Sequence, residues 1–201
     1  MLDGAPSERD AITRRRELVP DSARVRGLVF HAFEGLLQEH AMDAVVEQLR
    51  VALFDGKRPR VMASHPFKLQ LDHEGKVAEA LEEKFGGFDA AIFQCGSAAA
   101  RHVLENTMAG RTARALAGGD PWRLIRAAPG LFKVMVNFGE YRFERIDERR
   151  ALWVHRGDFA GPIHTAGLLD AGSRLLGLPM FQVALKEHPA PVDFTLELSW
   201  S

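Results

Sequence analysis

The chain has 201 residues, 46% of them hydrophobic and 26% charged, so it can bury a sizeable core and is neither a disordered nor a fibrous sequence. A formal net charge of −1 leaves no overall field to gather nucleic acid or an anionic membrane surface. The single cysteine, Cys95, excludes an internal disulfide and suits a reducing compartment; no run reaches the roughly 18 apolar residues of a membrane span, and the polar N-terminus has no secretory pattern, so a cytoplasmic protein is expected.

Residues 1–22 read as a polar tail or a loosely docked helix, with Arg14-Arg15-Arg16 solvated, ahead of a single domain over 23–201. From Val25, apolar residues recur through Leu28, Val29, Ala32, Phe33, Leu36 and Leu37 at three- and four-residue spacing, which predicts an amphipathic helix. A second helix is expected from Met42 to Phe54, broken by Asp55-Gly56. Ser64 as N-cap and Pro66 in the first turn open a third, whose apolar face is Phe67, Leu71, Ala78, Leu81 and Phe85 and whose end is Gly86-Gly87. Asp72-His73-Glu74 falls on its polar side. A fourth helix runs from Phe88 through Ile92, Cys95, Ala99 and Val103, and a shorter one lies near Arg111 to Leu116. Asp120-Pro121 opens another that Pro129 is expected to break.

Beyond residue 135 the period falls to two. Tyr141 to Ile146 and Ala151 to Arg156 read as a hairpin across Asp147-Glu148-Arg149, and Ile163 to Leu176 as a helix closed by Gly177. Phe181, Val183 and Leu185 make a strand beside a C-terminal one in which Val192, Phe194, Leu196, Leu198 and Trp200 alternate with polar residues. Strands clustered late in the chain predict an α+β fold: N-terminal helices packed on a C-terminal four-stranded antiparallel sheet, in the order strand, strand, helix, strand, strand.

No motif supplies chemistry. Gly86-Gly87 and Gly118-Gly119 lack the spacing of phosphate-binding loops, and the eight histidines form no metal-ligand pattern. Cys95 and His102 share the apolar face of the fourth helix, but seven residues separate them by about 10 Å along the axis, too far for a thiolate and its base. The hairpin interleaves Phe138, Tyr141, Phe143 and Trp153 with arginines; the aromatics are expected to face the core and the arginines solvent, so no nucleic-acid partner is expected.

Val25-Arg26-Gly27-Leu28-Val29-Phe30, Ser64-His65-Pro66, Gly110-Arg111, Leu116-Ala117-Gly118-Gly119-Asp120-Pro121, Val136-Asn137-Phe138-Gly139-Glu140, Arg156-Gly157-Asp158-Phe159, Gly167-Leu168-Leu169 and Leu198-Ser199-Trp200 occur in an order and spacing that resemble DUF2378, a paralogous family of unknown function known mainly from myxobacteria. More distantly the chain is similar to the haem-based nitric-oxide-binding (H-NOX) domains and the 4-vinyl-reductase-like ligand domains. Against their tyrosine-x-serine-x-arginine motif, Phe138 and Glu140 replace the tyrosine and serine and only Arg142 survives; counting back from Pro121, Ala109 stands at the haem-ligating position. The resemblance therefore implies the fold without haem.

The reading that follows is a non-enzymatic ligand-binding or sensory domain with an apolar pocket between the late helices and the sheet. Cys95, His102, Phe138, Tyr141 and Arg142 are the pocket candidates, with no catalytic residue, metal or cofactor and no membrane partner. A protein-interaction or homodimerisation module without a ligand is the alternative.

Overall fold

In the computed structural model, which describes residues 7–117, 120–178 and 181–201, helices occupy most of the chain before residue 136 and a sheet closes its C-terminal end. The order is α1 (Glu8–Leu18), β1 (Arg24–Arg26), α2 (Leu28–Glu39), α3 (Asp43–Phe54), β2 (Ser64–Pro66), α4 (Phe67–Phe85), α5 (Phe88–Asn106), α6 (Met108–Ala117), α7 (Pro121–Met135), β3 (Glu140–Arg145), β4 (Arg150–Arg156), α8 (Pro162–Leu175), β5 (Gln182–Ala190) and β6 (Asp193–Ser199). The late strands form the expected four-stranded antiparallel sheet, ordered β3-β4-β6-β5.

The alternation of the sheet residues decides its two faces. Tyr141, Phe143, Ala151, Trp153, His155, Phe194, Leu196 and Leu198 point inward against the helices, with Trp153, Phe194 and Leu196 fully buried. Arg142, Arg150 and Arg156 face outward; Arg142 pairs with Glu144, and Arg150 reaches Asp147 and Glu197. In the hairpin turn the Arg149 N–H donates to the Asp147 carboxylate at 2.9 Å, which fixes the turn.

α5 is the central helix, packed against α2, α4 and α8. Its crossing with α8 depends on two glycines. A Cβ on Gly96 would lie 2.0 Å from the His164 carbonyl oxygen, and one on Gly167 2.0 Å from that of Phe93, so neither position admits a side chain at this separation. The Ser97 hydroxyl uses the same close approach to donate to the Gly167 carbonyl at 3.1 Å.

Several local expectations give way to tertiary contacts. Val25 is not helical: Arg24–Arg26 pairs with Ser64–Pro66, so Ser64 lies in a strand and Pro66 precedes α4 without a side-chain cap. The β1 strand is tied to the end of α7 through Asn137, whose Oδ1 accepts from the Arg24 N–H at 2.7 Å and whose Nδ2 donates to the Ser22 carbonyl at 2.9 Å. Pro129 does not end α7, which continues to Met135; the helix forgoes one backbone bond there while Ile125 and Ala128 stay buried against the core. Asp120 caps that helix as expected, accepting from the Trp122 N–H at 2.9 Å.

His73 and Glu74 are each 1% exposed rather than solvated, since α4 is covered on more than one side. The segment read as a polar tail or a loosely docked helix contains α1, which docks through Ala11, Ile12 and a buried ion pair between Arg15 and Glu8. Arg15 also donates through Nε to the Phe159 carbonyl at 3.1 Å, so the middle residue of the basic triplet is interior and composition alone misrepresents it.

Candidate functional site: an apolar cavity above the sheet

A cavity of about 130 Å³ lies between the inner face of the sheet and α4, α5, α7 and α8. α7 contributes Ile125, Ala128, Leu131, Phe132 and Met135; α5 contributes Ala99, Ala100, Val103 and Leu104; Leu168 and Leu169 come from α8, and Tyr141, Phe143 and Trp153 from the sheet. The aromatic wall is mutually braced. Phe143 stacks on Trp153 at 4.6 Å between ring centres, and Phe132 meets Trp153 edge-on at 5.2 Å. Trp122 pins the start of α7 over the hairpin, packing edge-on against Trp200 at 5.1 Å beneath the Arg145 guanidinium.

Two of the five sequence-derived candidates line this cavity. Phe138 packs against Phe67 at 4.4 Å, and Tyr141 sits between Phe132 and His155 with burial pushing its hydroxyl pKa up. The other three lie elsewhere. Cys95 is fully buried on another side of α5, where desolvation raises its thiol pKa. His102 is half-buried beside His31, 6.3 Å away on α2, and Arg142 belongs to the outer face of the sheet. Alternation assigns Arg142 outward because it sits one residue from Tyr141, so the two cannot share a face.

Polar groups gather at one side of the wall: Gln70 on α4, His164 on α8, and Asp158 in the turn before it. The His164 Nδ1 lies 2.5 Å from Glu74 Oε1, with both side chains buried. Desolvation is the largest influence on this imidazole and lowers its pKa, but the Glu74 charge and hydrogen bond, helped by Asp158 and Glu8, outweigh it and the net direction is upward. Asp158 Oδ2 is 2.7 Å from His155 Nδ1, and Oδ1 accepts from the Ala160 N–H at 2.9 Å. The Gln70 amide is 3% exposed, and its Oε1 has no hydrogen-bond partner. Sequence reasoning passed over Gln70 and put Glu74 on the polar side of α4, although their spacing from Phe67 and Leu71 places both on its apolar stripe.

Haem does not fit these residues. No lysine or arginine is present among the described lining residues to receive propionates. Ala109 lies on α6 and offers no ligand atom.

The fold is α+β and resembles that of H-NOX domains. An H-NOX protein from S. oneidensis in the Fe(II)NO ligation state superposes with a TM-score of 0.61 at 8% identity, covering 88% of this chain and 99% of that one. The H-NOX domain from Shewanella oneidensis in the Fe(II)CO state gives 0.63 at 9% identity over 88% and 98%, and the Fe(II) unliganded H-NOX protein from K. algicida gives 0.60 at 10% identity over 88% and 96%. At such identities the likeness is one of fold. The chain belongs to the family described as Protein of unknown function (DUF2378), whose family model matches residues 18–201. No curated protein matches its sequence.

Proposed function

We propose that this domain is a non-enzymatic ligand-binding or sensory module that takes a small, largely apolar molecule into the cavity above the sheet. The observation that carries this reading is the cavity itself. Protein interiors keep few voids larger than a water molecule. At about 130 Å³ the space exceeds by several times the ~30 Å³ share of one water molecule, and its lining is predominantly apolar. A carbon-lined void of similar size stays dry and accepts benzene or xenon, which sets the scale of the ligand. The resemblance to H-NOX structures recorded with bound NO or CO supports the same reading at the level of fold.

Thermal denaturation in the presence of benzene and other small apolar probes tests this. A probe at a hundred times its dissociation constant stabilises by about 2.7 kcal/mol, equivalent to several degrees in Tm for a domain of this size. Ala128→Leu, which projects extra carbon into the cavity from α7, is expected to raise the Tm without ligand and to abolish the ligand-induced shift. If no apolar probe shifts the wild-type protein, or if Ala128→Leu responds as fully as wild type, the cavity is not a binding site.

A further inference from the structure

The cavity wall specifies more than apolar character. Gln70 and Glu74 are four residues apart on α4, which places them one above the other on one face, and Glu74 holds His164 from the opposite helix. The Gln70 side chain therefore adjoins the Glu74–His164 pair, and its Oε1 is left without a partner at 3% exposure. Buried amides are almost always hydrogen-bonded, because leaving one unpaired forfeits its hydration with nothing in return. A primary amide can both donate and accept, so a ligand group that does both would satisfy it.

Charge decides which such group fits. Glu74 already faces His164, Asp158 faces His155, and Glu8, further back, faces Arg15. Each carboxylate has its own ionic partner, but Glu74 Oε2 is also left without a hydrogen bond, so a ligand donor beside Gln70 meets two buried acceptors. A carboxylate head has no proton to donate to these acceptors and would meet the charges of Glu74 and Asp158, while an ammonium head would bring a full charge into a buried site. A hydroxyl is the smallest neutral group that both donates and accepts.

We propose that the cavity selects a small neutral alcohol or phenol of about benzene's size, its ring or alkyl body against Phe132, Phe143 and Trp153 and its hydroxyl held by the Gln70 amide beside the Glu74–His164 pair. This rests on the reading of the cavity as a ligand site and adds the chemical class of the ligand.

Calorimetric titration and thermal shift of the full chain with benzene, phenol, anisole, benzoate and benzylamine separate the two claims. Phenol is expected to bind about tenfold more tightly than benzene, the ratio produced by one well-made hydrogen bond to a formerly unpaired group. Anisole, which keeps the oxygen and loses the donor, should fall back towards benzene, and both charged probes should bind more weakly than benzene. Gln70→Leu should retain benzene binding and erase the preference for phenol; the anisole comparison needs no variant and stands if that substitution fails to fold. Benzene binding as tightly as phenol, or a charged probe binding best, would overturn the hydroxyl assignment and leave the cavity reading intact. If none of the five probes binds, the cavity reading fails and the hydroxyl assignment fails with it.

Discussion

The imidazole of His164 and the carboxylate of Glu74 meet at 2.5 Å across 90 residues of sequence, joining α8 to α4 at the polar edge of the cavity. Because the folded-state pKa of His164 lies above its ordinary value, the folded protein holds this proton more tightly than the unfolded chain. The stability gained is full below about pH 6.5 and is lost as pH rises through the raised folded-state value. Glu74→Gln removes the charge that raises it. Denaturant midpoints measured across the neutral and alkaline range should therefore decline in the wild type and stay flatter in the variant, which is also less stable near neutrality. Parallel curves would mean that the pair does not set the alkaline limb.

His73, one residue earlier, titrates in the opposite sense. It is enclosed by Phe30, Phe33 and Phe54, with ring centres 5.5 to 5.7 Å away, and its Nδ1 has no partner. Desolvation lowers its pKa to about 4, with Glu34 opposing the shift only in part. A depressed imidazole leaves stability intact above about pH 6.5 and removes it as pH falls towards the folded-state value, by an amount on the order of 3 kcal/mol. His73→Leu should remove that part of the acid limb. The check is the difference between the two stability curves from pH 7 to about 4, which should shrink as pH rises if His73 is the source.

The glycines of α5 and α2 should respond in opposite directions. Gly96→Ala drives a methyl group to within 2.0 Å of the His164 carbonyl, so α8 must move or the substitution must cost about 3 kcal/mol or more. Gly35, inside α2, has nothing within 4 Å of an added Cβ, and Gly35→Ala should stabilise by roughly 0.5–1 kcal/mol through lower unfolded-state entropy. Urea unfolding of the two variants distinguishes a packing constraint from a general intolerance to alanine.

Arg15 and Glu8 form an interior pair contributed wholly by α1, upstream of the segment that the family model matches. Arg15→Met strands the Glu8 carboxylate, whose pKa burial already raises, and should destabilise by about 3–5 kcal/mol. The double variant Glu8→Leu with Arg15→Met removes both charges and should recover most of that loss. A double variant as unstable as the single one would show that the Arg15 bond to the Phe159 carbonyl, rather than the ion pair, anchors α1.

Much of the architecture was legible in residue order. Helical spacing located α2 through α8 within a few residues, apart from the start of α2 at Val25 and the continuation of α7 past Pro129, and strict alternation from Val192 to Trp200 fixed the last strand and its buried face. Periodicity reports such features because each depends on neighbours in sequence. The short β1–β2 pair was not visible, since three-residue strands carry too few side chains to show a period.

The site divided in the same way. Phe138 and Tyr141 belong to the aromatic set expected to face the core, whereas Cys95 and His102 share a side of α5 that turns away from its lining residues Ala99, Ala100, Val103 and Leu104. Gln70, Glu74 and His164 come from α4 and α8, and their meeting depends on the close crossing that Gly96 and Gly167 permit between α5 and α8. The amino-acid sequence by itself determined which segments are helix or strand and which face of each is apolar. Only the tertiary structure decided where the void lies and which polar groups border it, because a cavity is what remains after helices distant in sequence have packed as closely as their side chains allow.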